Sequence, residues 1–475
     1  MGIKLDWQVE AEQTRIRATE DPAALRRRQQ ARRQFALLLL TLTALVALAG
    51  ALVFWRLKRV DEQLRRDLLD TVAVEVTALR LGNYANYMAI QRSASDAFLL
   101  EQSQRFEDYQ TLKATHRVSL EGKVVSVAID DQRARVVLEE VIDGVPYHVV
   151  WFYWHYEDGA ASGQGGWRHV PDDLTFWGEE RTLQGDHARI RYRALDEALA
   201  QALLTRLESW WVQGCATLVC STFPPPITVE IVPERPKTVT WAAHDPWLLR
   251  VSSPLVGRAR ADTPLSPDLA QEIAAQLAAR LVRYVTGESA PPFYSDTTWL
   301  QGQLAGWLAA QMDGRPAGAP AFVRSLIAQY GPDAPLTLLA ALSVPTTLDH
   351  ALTPLTGVGL PLLTIEQLNA LDWRDFFQWR LALEPQLLVQ PNSSGAFLAL
   401  YDLQNTAASS EASVRLESPA YAAQAVPQVV TVVIGRDEAS QTYAYVETTR
   451  VEDGVTIPGG TVIWRLAEGT WKRLN

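Results

Sequence analysis

The chain has 475 residues, of which 48% are apolar, and it carries a formal net charge of -10. Its length allows roughly two or three domains besides a membrane segment, and its 16 tryptophans allow sizeable hydrophobic cores. The negative charge argues against a general nucleic-acid-binding protein, because such a protein needs a basic face for the phosphates. We therefore expect a mostly folded, multidomain protein with no nucleic-acid partner.

Residues 1–33 are polar and end in an arginine cluster, Arg26–Arg33. This composition is typical of a disordered tail whose basic cluster sets membrane topology. A weak apolar periodicity also runs along the tail at Ile3, Leu5, Trp7 and Val9. The tail therefore fits two interpretations: a topogenic basic segment, or a docking peptide for a protein partner in the cytosol.

The next segment, Phe35–Trp55, is an uncharged apolar run between two arginine-rich flanks. About 20 residues of helix rise ~30 Å, which matches the hydrocarbon core of a bilayer. A cleaved signal peptide would have a shorter apolar core and a shorter N-terminal region. The sequence therefore predicts a transmembrane helix over residues 34–56, with the lipid bilayer as a partner.

The orientation of this span is predicted from arginines and cysteines. Its two flanks are similarly basic, but Arg15 and Arg17 add positive charge on the N-terminal side, and the positive-inside rule then places the N-terminus in the cytoplasm. Cys215 and Cys220 are candidates for a disulfide in an oxidising compartment, which agrees with this orientation; two reduced core cysteines are the alternative. We expect a single-pass protein of the cell membrane with its bulk outside the cytoplasm.

Residues 57–82 keep helical periodicity, and residues 83–183 begin as helices before changing to a period of two. The predicted strands are Val124–Ile129, Ala134–Glu140, His148–Tyr156 and Trp167–Val170. Helices followed by an antiparallel sheet indicate an α+β domain. The pattern resembles the nuclear-transport-factor-2-like cone fold, in which a helix packs in the concavity of a bent sheet. One face of Trp151–Trp154 would line that concavity, either as core or as part of a small-ligand pocket.

Residues 389–475 repeat this pattern over a shorter length. The sequence Trp-Lys-Arg-Leu at 471–474 echoes Trp-Arg-His-Val at 167–170. A helical stretch, Ser394–Gln404, precedes strands predicted at Val429–Ile434, Thr442–Thr449, Thr461–Leu466 and 471–474, with Pro458–Gly460 as a turn. We predict a second, shorter cone-type α+β domain; independent β hairpins are the alternative.

The region between them, residues 184–388, is predicted to be rich in helices. Its strands at Ala188–Tyr192, Ile227–Val232 and Trp247–Ser252 precede two helices that contain Gln271–Ala275 and Trp299–Ala305. This order resembles the gluzincin metallopeptidases of the peptidase-MA type. In that family the first helix carries H-E-x-x-H, and the second, often W-L-x-E-G-L-A, supplies a third zinc ligand. The two segments of this chain fall on those two motifs.

The resemblance preserves the frame of the zinc motif without its ligands. Gln271 and Ala275 stand at the two histidine positions, and Gly302 stands at the third-ligand position. Glu272 occupies the general-base position, but a base of this type acts on metal-bound water. We therefore expect no metal, no cofactor and no catalytic residue, with Glu272 as a vestige. In the alternative interpretation the match is accidental, and ordinary amphipathic helices pack inward through Leu269, Ile273 and Leu277.

These observations favour a membrane-anchored protein with a non-catalytic metallopeptidase-like domain between two cone-type domains. The expected role is binding, scaffolding or sensing outside the cytoplasm, with a protein partner held by the extracytoplasmic domains or by residues 1–33. Two alternatives remain open. One is a hydrolase with a site that carries no familiar motif, and the other is a transmembrane regulator that signals through the N-terminal tail.

Overall fold

The computed structural model describes residues 22–475, apart from 158–164, 221, 236–237, 288–290, 345, 419–420, 422–424 and 453–454. The chain divides into two compact units. The first comprises the residues up to 143 together with 151–172, and the second comprises 144–150 and 173–475. The chain is therefore multidomain and mixes helices with strands, as predicted. Most of the predicted docking peptide, residues 1–21, lies outside the described range.

The first unit contains one very long helix, α1 (Pro22–Leu81), which includes both the predicted span and the predicted juxtamembrane helix. Proline occurs only at its first position, where the missing N–H costs nothing, so no residue interrupts the hydrogen-bond ladder. The apolar side chains of Phe35–Trp55 are exposed, at 67% for Phe35 and 55% for Trp55. Among the described residues, α1 is the one helix long and apolar enough to cross a membrane.

The C-terminal half of α1 has a different pattern, because Leu68, Val72 and Val76 follow one another at intervals of four and are buried. This face packs on the strands of the first unit. The helices that follow are α2 (Tyr84–Ile90) and α3 (Asp96–Thr115), and the strands are β1 (Val118–Asp130), β2 (Arg133–Ile142), β3 (Val145–Tyr156) and β4 (Gly166–His169). The strands pair in sequence order, and β3 starts among residues of the second unit.

The second unit opens with a five-stranded mixed sheet of order β5-β6-β7-β9-β8. Its strands are β5 (Glu180–Gln184), β6 (Ala188–Arg193), β7 (Ile227–Val232), β8 (Val239–Ala242) and β9 (Asp245–Ser252). Strands β6, β7 and β9 are parallel, whereas the edge strands β5 and β8 are antiparallel to their neighbours. A short strand, β10 (Ala259–Arg260), pairs with the beginning of β3 inside this unit. The predicted division between residues 183 and 184 falls within β5.

Helices cover this sheet through a common apolar core. They are α4 (Glu197–Leu218), α5 (Pro267–Val285), α6 (Asp296–Met312), α7 (Ala321–Tyr330), α8 (Ala334–Ala341), α9 (Leu348–Thr356), α10 (Ile365–Asn369) and α11 (Arg374–Val389). Ser266 caps the start of α5 through a hydrogen bond from the Leu269 N–H, and Pro267 occupies its first turn. Helices α5 and α6 pack against each other.

After α11, the described residues include two further helices and a four-stranded antiparallel sheet. These are α12 (Ser394–Leu398), α13 (Thr406–Glu417), β11 (Gln428–Arg436), β12 (Thr442–Glu452), β13 (Val455–Ala467) and β14 (Thr470–Arg473), and the strands pair in sequence order. The single helix predicted over Ser394–Gln404 is wrong, since α12 ends at Leu398. A new helix starts after Asn405, whose side chain accepts hydrogen bonds from two backbone N–H groups.

One further prediction about the C-terminal region is corrected by the structure. Pro458–Gly460, predicted to be a turn, lies within β13, beside an irregular pairing at Thr448 and Thr449. Buried residues on both sides of the predicted division between residues 388 and 389 contribute to one apolar core. Trp471 lies 6.1 Å from Trp373, ring centre to ring centre, so the final sheet shares the core of the helices before it.

Candidate functional site

The peptidase-like positions lie on two adjacent helices and are open to solvent. Gln271, Glu272 and Ala275 are exposed on α5, and Gly302 is exposed on α6. The buried face of α5 is formed by other positions, Ile273, Ala274, Leu277, Ala278, Leu281 and Val282. The 3.6-residue period of the helix turns positions 271 and 275 away from that face. Inward packing of Ile273 and Leu277 is what the interpretation of these segments as ordinary amphipathic helices predicts.

These positions offer little chemistry to a metal ion. Gln271 presents a neutral amide, and Ala275 and Gly302 present no donor atom. A Cβ atom added at Gly302 would meet nothing within 4 Å, so the ligand-equivalent position faces open space. Within the described ranges, no group of three or more histidine, cysteine, aspartate or glutamate side chains is arranged to hold a metal. The structure thus brings no zinc-binding set together around Glu272.

The two cysteines lie at the end of α4. Cys215 and Cys220 form a disulfide, and their Cα atoms are 5.1 Å apart. Between them the chain reverses at Val219, whose φ of 52° is left-handed and ends the helix. Cys215 is buried against the core of the second unit, so the disulfide fastens the turn to that core. Such bonds persist in oxidising compartments.

The aromatic strand residues Trp151–Trp154 enclose a buried polar network. Trp151, Phe152 and Tyr153 are buried, whereas Trp154 is half exposed. The Tyr153 hydroxyl donates a hydrogen bond of 2.8 Å to Glu75, a fully buried residue of α1. The interior beside the strand is thus filled by side chains.

Glu75 is the centre of this network. Its carboxylate also accepts a hydrogen bond from the Gln91 amide at 2.9 Å, and the Nδ1 atom of His169 lies 2.6 Å from it. Burial, together with the charge of Glu75, raises the pKa of Tyr153, so the hydroxyl keeps its proton and remains a donor. A buried carboxylate needs such partners, because an unpaired one carries a large desolvation penalty. We interpret the network as a structural device of the first unit.

A corresponding network is centred on Glu384, a buried residue of α11. One nitrogen, Nη1 of Arg473, lies 2.5 Å and 2.6 Å from its two carboxylate oxygens. The Tyr421 hydroxyl donates to the same carboxylate at 3.1 Å, and Arg415 reaches it at 3.3 Å. The partners of Glu384 therefore include two arginines, whereas those of Glu75 are a tyrosine, a glutamine and a histidine.

The Glu384 network opens into a cavity of about 610 Å³, the arginine cavity. Its wall contains three arginines and one glutamate among apolar side chains. The lining residues are Leu381, Glu384, Pro385, Arg415, Tyr421, Ala425, Val426, Pro427, Arg450, Val451, Gly459 and Arg473. Arg473 is paired with Glu384, and Arg415 is paired both with Glu384 and with Glu411, which lies outside this described lining.

Sequence reasoning missed both networks and the arginine cavity. Glu75 and Glu384 lie on helices, and nothing in their local sequence distinguishes them from exposed glutamates. One signal was available, because aligning Trp167 with Trp471 also aligns His169 with Arg473, and these two residues contact Glu75 and Glu384. No family model, curated protein or solved structure matches this chain.

Proposed function

We propose that this chain is a single-pass, membrane-anchored protein that acts outside the cytoplasm by binding or scaffolding rather than by catalysis. The observation that carries the proposal is the continuity of α1. Its exposed apolar stretch, Phe35–Trp55, continues without a break into the helical face that carries the buried residues Leu68, Val72 and Val76. One helix therefore forms both the proposed anchor and part of the core of the first unit.

The exposed stretch supports the anchor energetically. Transfer of one large apolar side chain out of water contributes about 1.5–3 kcal/mol, and Phe35–Trp55 presents many such side chains to solvent. All backbone N–H and C=O groups of a helix interior are paired within the helix, as a bilayer core requires. A lipid environment therefore satisfies both the side chains and the backbone of this stretch.

Two further observations support the orientation and the mode of action. The disulfide between Cys215 and Cys220 suits an oxidising compartment, and Arg15 and Arg17 add basic charge on the other side of the span. The metallopeptidase-like frame supports a non-catalytic role, because its ligand positions carry an amide, a methyl group and a glycine. In this proposal the region keeps the peptidase architecture as a binding module.

The proposal is tested on the full chain in its native membrane. We expect alkaline carbonate to leave the protein in the membrane fraction. A membrane-impermeant maleimide should label Cys215 and Cys220 in intact cells only after reduction. Purified full-length protein in detergent should hydrolyse no casein, with or without added zinc. Release by carbonate, labelling without reduction, or zinc-dependent hydrolysis would overturn the anchor, the orientation or the non-catalytic role, respectively.

A further inference from the structure

We propose that two copies of this chain pair side by side in the membrane, with their α1 helices parallel, through one face of α1. This heptad face consists of residues that recur at every seventh position, namely Leu39, Val46, Val53, Val60, Asp67, Val74 and Leu81. All of them are exposed and belong to the first unit. The inference adds a partner to the anchoring role proposed above and rests on that role.

A repeat of seven residues is the pattern through which two helices pair. Positions seven apart lie about 20° from each other on a straight helix, and two helices that wrap around each other bring them onto one seam. Within the span, apolar residues are expected in any case. Beyond the span, the described part of α1 exposes four large apolar side chains, and three of these, Val60, Val74 and Leu81, continue the series. The fourth is Leu57. The anchor alone does not explain why the series continues outside the lipid.

The heptad face points away from the core of the first unit. Val72 and Val76, which are buried in that core, are each two positions from Val74. At 100° per residue, each of them lies about 160° around the helix from Val74. Val74 is accordingly 53% exposed, and Leu81 is 72% exposed. A partner can therefore reach this face without displacing the core.

A groove of about 450 Å³ lies along the heptad face at the end of α1. Its lining combines two large apolar residues with small and polar ones: Asp70, Ala73, Val74, Thr77, Ala78, Leu81, Asn83 and Asn86. In paired helices, large side chains of each helix enter spaces between side chains of the other. A two-fold interface must supply both parts from the same patch, because that patch meets its own copy. This lining supplies both.

The continuity of α1 favours a second copy of the chain as the occupant. Because one helix runs from the proposed span to Leu81, two copies inserted in the same direction hold their grooves parallel and at the same height above the bilayer. The two grooves therefore need no adjustment along the helix axis to meet. Confinement to one membrane also raises the effective concentration of each copy for the other, as a tether does.

Asp67 is the polar member of the series. A single polar residue on such a seam fixes the register of two helices at a cost in stability. Arg66 is exposed beside it. In a parallel pair, residues that flank the seam form ion pairs with the other helix, so Arg66 of each copy can compensate Asp67 of the other. The two charges therefore favour one register over a slide by seven residues.

The test is cysteine crosslinking of the full-length chain in its native membrane. The two native cysteines form a disulfide, so an added cysteine supplies the reactive thiol. Val60→Cys, Val74→Cys and Leu81→Cys are oxidised with copper phenanthroline, and non-reducing electrophoresis measures the product of twice the chain mass. Glu62→Cys is the matched control, since Glu62 is exposed. We expect each heptad-face variant to give at least about fivefold more product than this control, because residue 62 lies about 160° around the helix from Val60.

A second variant tests whether the groove itself carries the pairing. Val74→Lys, made in the Val60→Cys chain, places two like charges on the seam and should reduce crosslinking at residue 60 by about fivefold or more. Glu62→Lys in the same chain should leave that crosslinking unchanged. Equal crosslinking of Val60→Cys and Glu62→Cys, a product of another mass, or no effect of Val74→Lys would overturn the proposal. Carbonate extraction separates the two hypotheses: retained protein without crosslinking contradicts the pairing alone, whereas released protein contradicts the anchor.

Discussion

The sheet β1–β4 and the sheet β11–β14 each lie beside a buried glutamate network, but only the network beside β11–β14 borders a cavity described above. In each, a helix bearing a buried glutamate precedes a short helix, a longer helix and four strands paired in sequence order. In each, the last residue of the fourth strand contacts that glutamate. This residue is His169 in the first sheet and Arg473 in the second. A buried carboxylate can thus be stabilised by groups without fixed charge, or by arginines that also line a cavity.

The largest expected effect tests the charged version of the network. Glu384→Gln removes the carboxylate between Arg473 and Arg415 and leaves two largely buried guanidinium groups without it. Loss of one member of a buried ion pair costs about 3–5 kcal/mol. Urea denaturation followed by tryptophan fluorescence measures the change. Glu411→Gln, which removes an exposed partner of Arg415, is the control and should cost less than about 1 kcal/mol.

A third buried carboxylate, Asp196, sharpens the comparison because its donors are also uncharged. It accepts hydrogen bonds from Trp177 Nε1 at 2.8 Å and from the Ser253 hydroxyl at 2.5 Å. Burial raises the pKa of Asp196 to about 6, although the two hydrogen bonds oppose the shift. The folded state therefore holds this proton more tightly than the unfolded state does. The protonated Asp196 carboxyl therefore contributes its full stabilisation of the folded state below about pH 4, and this contribution disappears as the pH rises through 6.

The corresponding variant is Asp196→Asn, which keeps the shape of the side chain and cannot ionise. We expect it to remove about 3 kcal/mol of pH dependence between pH 4 and pH 6 and to stabilise the protein at pH 7. Denaturation midpoints across this pH range measure the effect. Glu180→Gln, an exposed change nearby, should retain the slope of the parent. An unchanged slope in Asp196→Asn would show that this carboxyl does not titrate there.

A smaller loss is expected in the uncharged version of the network. Glu75→Gln keeps an acceptor for one donor, and its partners Tyr153, Gln91 and His169 carry no fixed charge. The cost should be about 1–2 kcal/mol, clearly below that of Glu384→Gln. Asp70→Asn, at an exposed position on the same helix, controls for the loss of a helical carboxylate. Equal losses in Glu75→Gln and Glu384→Gln would break the distinction between the two networks.

The smallest effect concerns the rim of the second network. Tyr421→Phe removes a hydroxyl that links Arg415 to Glu384, and the direct contact between those two residues remains at 3.3 Å. We expect a loss of about 0.5–1.5 kcal/mol in urea denaturation. Tyr445→Phe, an exposed tyrosine of the same sheet, should leave the unfolding free energy unchanged.

Local patterns predicted the interior strands well. Strand β7, Ile227–Val232, has the predicted bounds because its β-branched residues alternate with polar ones and prolines precede it. The edge strands β5 and β8 were missed. The sequence of β5, Glu-Arg-Thr-Leu-Gln, is mostly polar, and β8 has only four residues, so neither gives a clear period of two.

Pro458–Gly460 was predicted to be a turn because proline and glycine are typical turn residues, but these residues lie within β13. Strand β14 pairs with β13 only at residues 464–467, so Pro458 lies where β13 has β12 as its one strand neighbour. Proline is tolerated at such an edge, particularly beside a bulge. The two glutamate networks were beyond local patterns for a different reason. Glu75 and His169 are 94 residues apart in sequence, and only the folded chain brings them together.

The unbroken helix α1 also determines how precisely the first unit is positioned. The Trp167 indole donates a hydrogen bond to the Leu64 carbonyl, nine residues after Trp55 and thus about 14 Å further along the axis. With the proposed span in a bilayer, residues 56–64 of α1 set both the distance of the first unit from the membrane and its rotation about the helix axis. Insertion of a single residue into residues 56–64 would rotate the unit by about 100° while moving it only about 1.5 Å along the axis. The length of this segment would therefore determine which side of the unit points in a given direction along the membrane plane.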